Sequence, residues 1–431
     1  MQLHEVEITD LSHDGRGVAR VEGKTVFVAG ALPGERAAIH LTHRHRSFDE
    51  AKVETLLTRS PERVEPRCPH FGVCGGCALQ HLSAEAQITA KQRVLAENFE
   101  RIGKVTPQRW LPPLSDAPWG YRRKGRLSVK WVAKKDKVLV GFREDNARFV
   151  ADLSECHTLL PEVGLRLREL ADVVNSLESK CYIAQVEISA GDDTVALVFR
   201  NLQALNDADR AKLVAFGQAH DLAILIQPGG PNTIQALWPT EIALSFRIPE
   251  SNVEIAFEPL DFVQVNSGMN RRMIARALEL LDPGAEDRVL DLFCGLGNFT
   301  LPIARRVGSV VGVEGDAGLV ARARANAARN AIANAEFAAG DLAADQRSAP
   351  WATRDYDKVL LDPPRSGAAA VLEYLPRKSA RRVVYVSCHP GSLARDAGTL
   401  VERHGFKLTA AGVMDMFPHT AHVESIALFE R

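Results

Sequence analysis

The sequence predicts an α/β protein in three parts: a small β-barrel at the front, a mixed β region in the middle, and an open, mostly parallel sheet with helices at the carboxyl end. Three observations carry this. From about Asp287, strand-like runs (RVLDLF, SVVGVEG, KVLLDPP, RRVVYVSC) alternate with helical ones, the rhythm of parallel βαβ units. From Tyr121 to about Phe257, the alternation in RLSVKWV, KVLVGFRE, YIAQVEISA, DTVALVFR and LAILIQP describes strands with a few helices between them. In residues 1–57, short strands are separated by the turn sequences HDGRG, VEGK and ALPG. A chain of 431 residues that is 46% hydrophobic has the length for two or three such units and the apolar content to bury their cores.

The front strands VEITDL, GVARV, KTVFVAG, ERAAIHLTH and EAKVETLL suggest a closed barrel of the oligonucleotide-binding type. With DGRGVAR as its most recognisable piece, the segment resembles the TRAM domain found at the front of several RNA-modifying enzymes. The tract His43, Arg44, His45, Arg46 reads either as an RNA contact or as an ordinary hairpin tip. TRSPERVEPRCPH is a polar, proline-marked junction. After the cysteine cluster it leads into, SAEAQITAKQRVLAENFERIG has helical periodicity, with Ser83 as N-cap and Gly103 as stop.

The opening MQLHEVEITD carries acids and no apolar run, and no stretch reaches the length of a membrane-spanning helix, so a soluble, cytoplasmic protein is expected. Seven cysteines, an odd number with several crowded together, suit a reducing compartment that leaves thiols free for metal or catalysis. A formal net charge of −1 argues against a protein that coats nucleic acid by bulk electrostatics. The charge is uneven, however. Residues 101–150 hold thirteen Lys and Arg against four Asp and Glu, beside Trp110, Trp119, Tyr121 and Trp131. Such a stretch reads either as a surface that binds phosphates and stacks bases or as the solvated face of a strand pair.

Cys68, Cys74 and Cys77 form C-x5-C-x2-C in RCPHFGVCGGC, and Cys156 follows far downstream in LSECHTL. Three close cysteines with intervening glycines mark a metal site, because packing does not require them. Zinc takes four thiolates in tetrahedral geometry, and a [4Fe–4S] cluster takes the same four ligands. Cys181 and Cys294 have no partners in this scheme and are expected to be ordinary packed residues.

VLDLFCGLGNFT, residues 289–300, is a buried strand running into a glycine turn and a helix. Gly295 and Gly297 allow the tight turn and the close approach of a ligand to the backbone. Glu314 ends the next strand, where a carboxylate accepts hydrogen bonds from both hydroxyls of a ribose. The third glycine of the dinucleotide fingerprint is missing, so an adenosyl group bearing an amino acid fits better than two phosphates. The unit resembles the Rossmann-like fold of class I methyltransferases, in which Asp341 of AAGDLA falls where adenine is contacted. A turn or N-cap residue is the competing reading of Asp341.

LDPPRSG sits just past a strand, at the carboxyl edge where open α/β sheets bind ligands. It is similar to the (D/N)PP(Y/F) loop of amino-methyltransferases, with Arg365 in place of the aromatic residue. One strand later, VVYVSCHP puts Cys388 at the exposed end of a buried strand. MFPHTAHVESIALFE then provides Glu424 at the start of a final strand, with His419 and His422 nearby. An edge carboxylate of this kind is normally solvated.

Taken together, DLFCGLGNFT, DPPR, VSCHP and FPHTAHVE resemble the uracil-C5 RNA methyltransferase family over essentially the whole chain. The resemblance implies transfer of a methyl group from S-adenosylmethionine to carbon 5 of a uridine. Cys388 is then the nucleophile and Glu424 the proton acceptor. Gln264, Phe293, Asn298, Glu314, Asp341 and Asp362 line the cofactor pocket, and Asp362 also faces the uracil edge. His389 stands where the family more often has Asn. Cys68, Cys74, Cys77 and Cys156 hold a [4Fe–4S] cluster with a structural or RNA-positioning role. The spacing C-x3-C-x2-C of radical enzymes is absent. A thiol suits the chemistry: carbon 5 of uracil is a poor nucleophile until a thiolate adds at carbon 6, and a base must later remove the carbon-5 proton.

The resemblance also divides the chain into residues 1–58 as the barrel, 59–80 with 115–256 as a central domain holding the cluster, and 81–114 with 257–431 as the methyltransferase domain. Family members acting on transfer RNA generally lack both barrel and cluster, whereas those acting on 23S ribosomal RNA carry the cluster. The expected partner is therefore 23S ribosomal RNA, its target uridine extruded from the stack and the flanking nucleotides held by the barrel, the cluster region and residues 121–130. The chain is expected to act as a monomer. A dual-site ribosomal or a transfer RNA uracil-C5 enzyme is the alternative within the family. Outside it stand a non-enzymatic RNA-binding protein and an amino-group methyltransferase, which needs no thiol.

Overall fold

The computed structural model describes residues 3–145, 148–375 and 380–431. At the front, a six-stranded sheet runs in the order His4–Glu7, Arg36–Arg44, Phe48–Thr58, Lys24–Ala29, Gly17–Val21, Asp10–Leu11. Alternating apolar positions, among them Val26 and Val28 on one strand and Ala37 and Ile39 on another, point into one small core. The expected front barrel strands are therefore present, with the turn HDGRG closed by Ser12 and the DGRGVAR arginine Arg16 paired to Asp14 and Glu50.

The helix Ala84–Asn98 begins as the sequence suggests, Ser83 accepting a hydrogen bond from the Ala86 N–H. It continues into a π-helical turn, Phe99–Gly103, before Lys104 adopts a left-handed conformation. Gln87, Lys91 and Leu95 form its buried stripe at four-residue spacing, so two polar side chains face inward.

The central six-stranded sheet runs Gln235–Trp238, Ala223–Gln227, Val195–Asn201, Ile183–Ala190, Lys124–Val132, Lys137–Gly141. One face packs on the helices Leu167–Ser176 and Asp207–His220. The other, through Ala196, Val198, Ala223 and Leu225, shares a core with the hairpin Leu244–Ile248/Val253–Phe257 and the helix Ser267–Leu281.

The carboxyl-terminal sheet has eight strands in the order Ala335–Ala339, Ser309–Glu314, Arg288–Leu292, Lys358–Leu361, Arg382–Ser387, Glu424–Glu430, Lys407–Met414, Arg109–Trp110. The first five are mutually parallel. The strand Glu424–Glu430 is inserted antiparallel between two neighbours. The order reverses between Arg288–Leu292 and Lys358–Leu361, a topological switch point of the kind at whose carboxyl side open α/β sheets bind ligands. Among the described residues no helix is long and apolar enough to cross a membrane.

Candidate functional site

The loops at the switch point carry most of the residues singled out in the sequence. After Leu292 the chain turns sharply: Phe293 and Gly295 take positive φ of 67° and 54°, and Gly297 takes 91°. The Phe293 and Cys294 N–H groups both donate to the Val313 carbonyl, so the turn is pinned to the end of the neighbouring strand. At φ of 91° a side chain on Gly297 would be strained, and its Cβ would lie 3.0 Å from the Leu301 side chain. Glu314 accepts from the Gly295 N–H at 3.1 Å and, through its other oxygen, from the Asp316 N–H at 3.1 Å. Asn298 exchanges two amide hydrogen bonds with Asn270, 3.0 and 2.9 Å, which ties the glycine turn to the helix Ser267–Leu281. The half-buried Gln264 lies in the loop just before that helix. Asp341 sits in a turn beyond the strand next to Glu314, where its carboxylate accepts from the Ala343 N–H, so its turn role is present in the fold.

A second group surrounds Cys388. The register Ser387↔Ser425 sets Cys388 and Glu424 at matching ends of adjacent antiparallel strands. Glu424 is only 3% exposed, which corrects the expectation of a solvated edge carboxylate: its strand is internal to the sheet, between two partners. Burial, reinforced by Asp362, pushes its pKa well above the ordinary value, and Arg365 opposes the shift. Burial also pushes Asp362 up to about 7. The Cys388 thiol is pushed up to about 11, by burial first and then by Glu424 and Asp362, again against Arg365. Cys388 directly precedes the helix Pro390–Glu402, whose N-cap His389 accepts from the Ser392 N–H at 3.1 Å. His389 therefore does the capping work that Asn performs well.

Cys388 opens into a groove of about 840 Å³ between the front barrel, with Phe27 and His13, and the helix Ala84–Asn98, with Arg93 and Asn98. A separate cavity of about 190 Å³ is lined by Cys68, Cys74, Cys77 and Cys156. His422 lines both. Burial raises the thiols of Cys68, Cys74 and Cys77, with Cys74 reaching about 11 and Cys77 about 12, and each also feels Cys156. Among the described residues no group of three or more His, Cys, Asp or Glu is placed to hold a metal ion. Cys294 is buried as expected; Cys181 is exposed, on the short turn Lys180–Tyr182, which corrects its reading as a packed residue.

Several of the residues 121–130 and their aromatic neighbours turn inward. Arg123 is buried against Asp192, and Lys124 donates to the Pro259 and Asp261 carbonyls. Tyr121 is buried and donates to the Pro418 carbonyl, while Trp119 stacks on His419 at 3.8 Å. Tyr121 and Trp119 thus support the loop Asp415–His422, whereas Arg123 and Lys124 brace the central sheet against Asp192 and the segment 259–261. Buried Lys91 pairs with Asp415 at 2.6 Å and donates to the Phe417 carbonyl, and Gln87 accepts from the His419 N–H. Gln87 and Lys91 were not singled out in the sequence, although polar residues on a buried helical stripe are the signal that finds them. Asp291 was also missed. It is fully buried, one oxygen accepting from Thr300 at 2.5 Å and the other without a partner.

The family model described as tRNA (Uracil-5-)-methyltransferase matches residues 176–431, and that of the TRAM domain matches residues 2–53. The chain is 62% identical over 430 residues to the 23S rRNA (uracil(1939)-C(5))-methyltransferase RlmD of Xanthomonas campestris pv. campestris (strain 8004), covering 99% of this chain and 97% of the relative. It is 59% identical to the protein of the same name from Xylella fastidiosa (strain Temecula1 / ATCC 700964), with the same coverage. Among solved structures, the tRNA (uracil-54, C5)-methyltransferase of Pyrococcus abyssi superposes with a TM-score of 0.75 at 24% identity, covering 99% of this chain and 100% of that one. The α/β methyltransferase fold with its front TRAM barrel is thereby established.

Proposed function

The chain belongs to the uracil-5 RNA methyltransferase family, and from that premise we propose that it methylates carbon 5 of one uridine in 23S ribosomal RNA, at the position its relatives are named for, uracil 1939. The observation that carries the reading is the meeting of Cys388, Glu424, Asp362 and Arg365 beside the glycine turn and Glu314, in a chain about 60% identical to those relatives over nearly its whole length.

S-adenosylmethionine, the methyl donor, fits the switch point by its donor and acceptor set: Glu314 for the ribose hydroxyls, Asp341 on the adenine side, and Phe293, Asn298 and Gln264 around the remainder, with Asp362 at the strand end facing both cofactor and base. Cys388 adds to carbon 6 of the uracil as its thiolate, the thiol proton leaving to solvent through the groove, and Arg365 favours that charged form against burial and the neighbouring acids. The electron pair of the 5,6 double bond moves toward the carbon-4 oxygen, and carbon 5 becomes nucleophilic. After carbon 5 takes the methyl group, Glu424 accepts its proton, the Cys388–carbon 6 bond breaks, and the double bond returns. A carboxylate with a raised pKa is a stronger base, and the same shift lowers the fraction ionised near neutrality; Arg365 counters this by favouring both charged forms.

Cys68, Cys74, Cys77 and Cys156 form the donor set of a [4Fe–4S] cluster. Tetrahedral zinc with bonds of about 2.3 Å requires sulfurs about 3.8 Å apart. The reading rests on four thiols lining one cavity of about 190 Å³, which has room for a group larger than a single ion. Such a cluster supplies a rigid link between the loop after the barrel and the segment around Cys156. The three-part division at residues 58, 80, 114 and 256 remains our reading, as does cytoplasmic action as a monomer. The test is nucleoside mass spectrometry after incubation with labelled S-adenosylmethionine and, separately, unmodified 23S ribosomal RNA and unmodified transfer RNA. Labelled 5-methyluridine is expected in the 23S RNA alone; label in transfer RNA removes the substrate assignment.

A further inference from the structure

The loop Asp362–Ala368 and the helix Pro390–Glu402 bring opposite sides of the reaction site, the first carrying Asp362 and Arg365 and the second following directly on Cys388. One buried carboxylate joins them. Asp396, on the helix and fully buried, accepts from the Ala368 N–H at 2.7 Å and from the Tyr385 hydroxyl at 2.7 Å through one oxygen. Its other oxygen accepts from Arg395 Nε at 2.9 Å, and Arg395 in turn donates to the Ser366 carbonyl at 2.8 Å. Gly367 lies against this pair with φ of +80°, and a Cβ there would come within 2.5 Å of both the Asp396 carboxylate and the Arg395 guanidinium. The loop therefore rests on Asp396 and Arg395 with no space between them. Tyr385 is fully buried on the strand that leads to Cys388, so strand, helix and loop meet at a single charged group.

We infer that Asp396, supported by Tyr385 and Arg395, is a positioning residue that holds the Asp362–Arg365 loop in register with the Cys388 thiol. It touches neither thiol nor ring; it acts by fixing where the Asp362 and Arg365 charges stand relative to the sulfur and to Glu424. Electrostatic control of a nucleophile is steep in distance, and displacement of about 1 Å in such a site costs on the order of a hundredfold in rate. Asp396 does not itself line the groove onto which Cys388 opens; it acts on that groove only through the loop that carries Arg365.

This inference rests on the methyltransferase reading, and the experiment separates the two. Parent, Asp396→Asn, Tyr385→Phe and Arg395→Gln proteins are compared for 5-methyluridine formation on 23S RNA, for S-adenosylmethionine affinity and for melting midpoint. Asp396→Asn is expected to lower kcat by about 10- to 100-fold with KM for RNA and cofactor affinity within about twofold. Tyr385→Phe, which removes one donor, should fall between it and the parent. Arg395→Gln alters a half-exposed side chain that leaves the core intact, and should lower kcat in the same selective way even where Asp396→Asn fails to fold. Unchanged kcat in Asp396→Asn with a lowered melting midpoint, or unchanged kcat in Arg395→Gln, overturns the positioning role. So does a parallel loss of kcat, RNA affinity and cofactor binding. A parent protein that forms no 5-methyluridine instead overturns the functional reading, and the inference with it.

Discussion

Replacing Asp291 by Asn makes the electrostatics of the strand ends readable as stability. Asp291 is fully buried, with one carboxylate oxygen bonded to Thr300 and the other unpartnered. Burial pushes its pKa from 3.8 to about 7; the Thr300 hydrogen bond opposes the rise, and the charges of Asp362 and Glu314 add to it. The folded chain thus keeps a proton that the unfolded chain releases near pH 4. Its contribution to stability falls as pH rises through the window from about 4 to about 7, and the full cost is present above about pH 7. Each pH unit of that window is worth about 1.4 kcal/mol, so going from about pH 5 to about pH 8 costs about 2–3 kcal/mol. Asn keeps the acceptor for Thr300 and has no proton to lose. Relative to the parent, Asp291→Asn should gain about 2 kcal/mol between the two pH values, or about 4–8 °C in melting temperature for a unit of this size. Scanning calorimetry of both proteins at both pH values measures it. A relative midpoint that moves by less than about 1 °C refutes the reasoning.

Cys388→Ala should lose turnover by about a thousandfold or more while binding S-adenosylmethionine as the parent does, measured by single-turnover assay and calorimetry; substantial residual activity removes the covalent route. In the free protein, alkylation of Cys388 by iodoacetamide should accelerate about tenfold per pH unit between about pH 7 and about pH 9, since its thiol is pushed up to about 11. A flat profile contradicts that shift. Protein purified without oxygen should be brown with about four irons per chain, and Cys156→Ser should lose them and become more readily cleaved by protease around residues 68–77. Zinc without iron would point to a single-ion site.

Much of the site is local in sequence and therefore legible there. The glycine turn 295–297, Glu314 at the next strand end and Cys388 before a helix each follow from a short motif whose backbone requirements are fixed by a few neighbours. The pairing of Cys388 with Glu424 needed only the inference that a final strand carries the acid. Its burial did not follow, because whether that strand lies at an edge or between two others depends on sheet order. The inward turn of Arg123, Lys124 and Tyr121 escaped composition for a similar reason: their partners, Asp192, Pro259 and Pro418, are brought to them only by tertiary packing. Gln87 and Lys91 meet a loop more than three hundred residues away, so their role depends on how helix Ala84–Asn98 docks. Asp396 is likewise an ordinary mid-helix acid until the fold lays Ala368 and Tyr385 upon it.

The covalent role of Cys388 with Glu424 as proton acceptor is tested most directly by mixing Glu424→Gln protein with unmodified 23S ribosomal RNA and S-adenosylmethionine, then digesting with nuclease and protease for mass spectrometry. The account predicts a peptide in which Cys388 carries a methylated uridine nucleotide, because proton removal is blocked after methyl transfer. Release of 5-methyluridine at the parent's rate with no adduct, or an adduct on another cysteine, contradicts it.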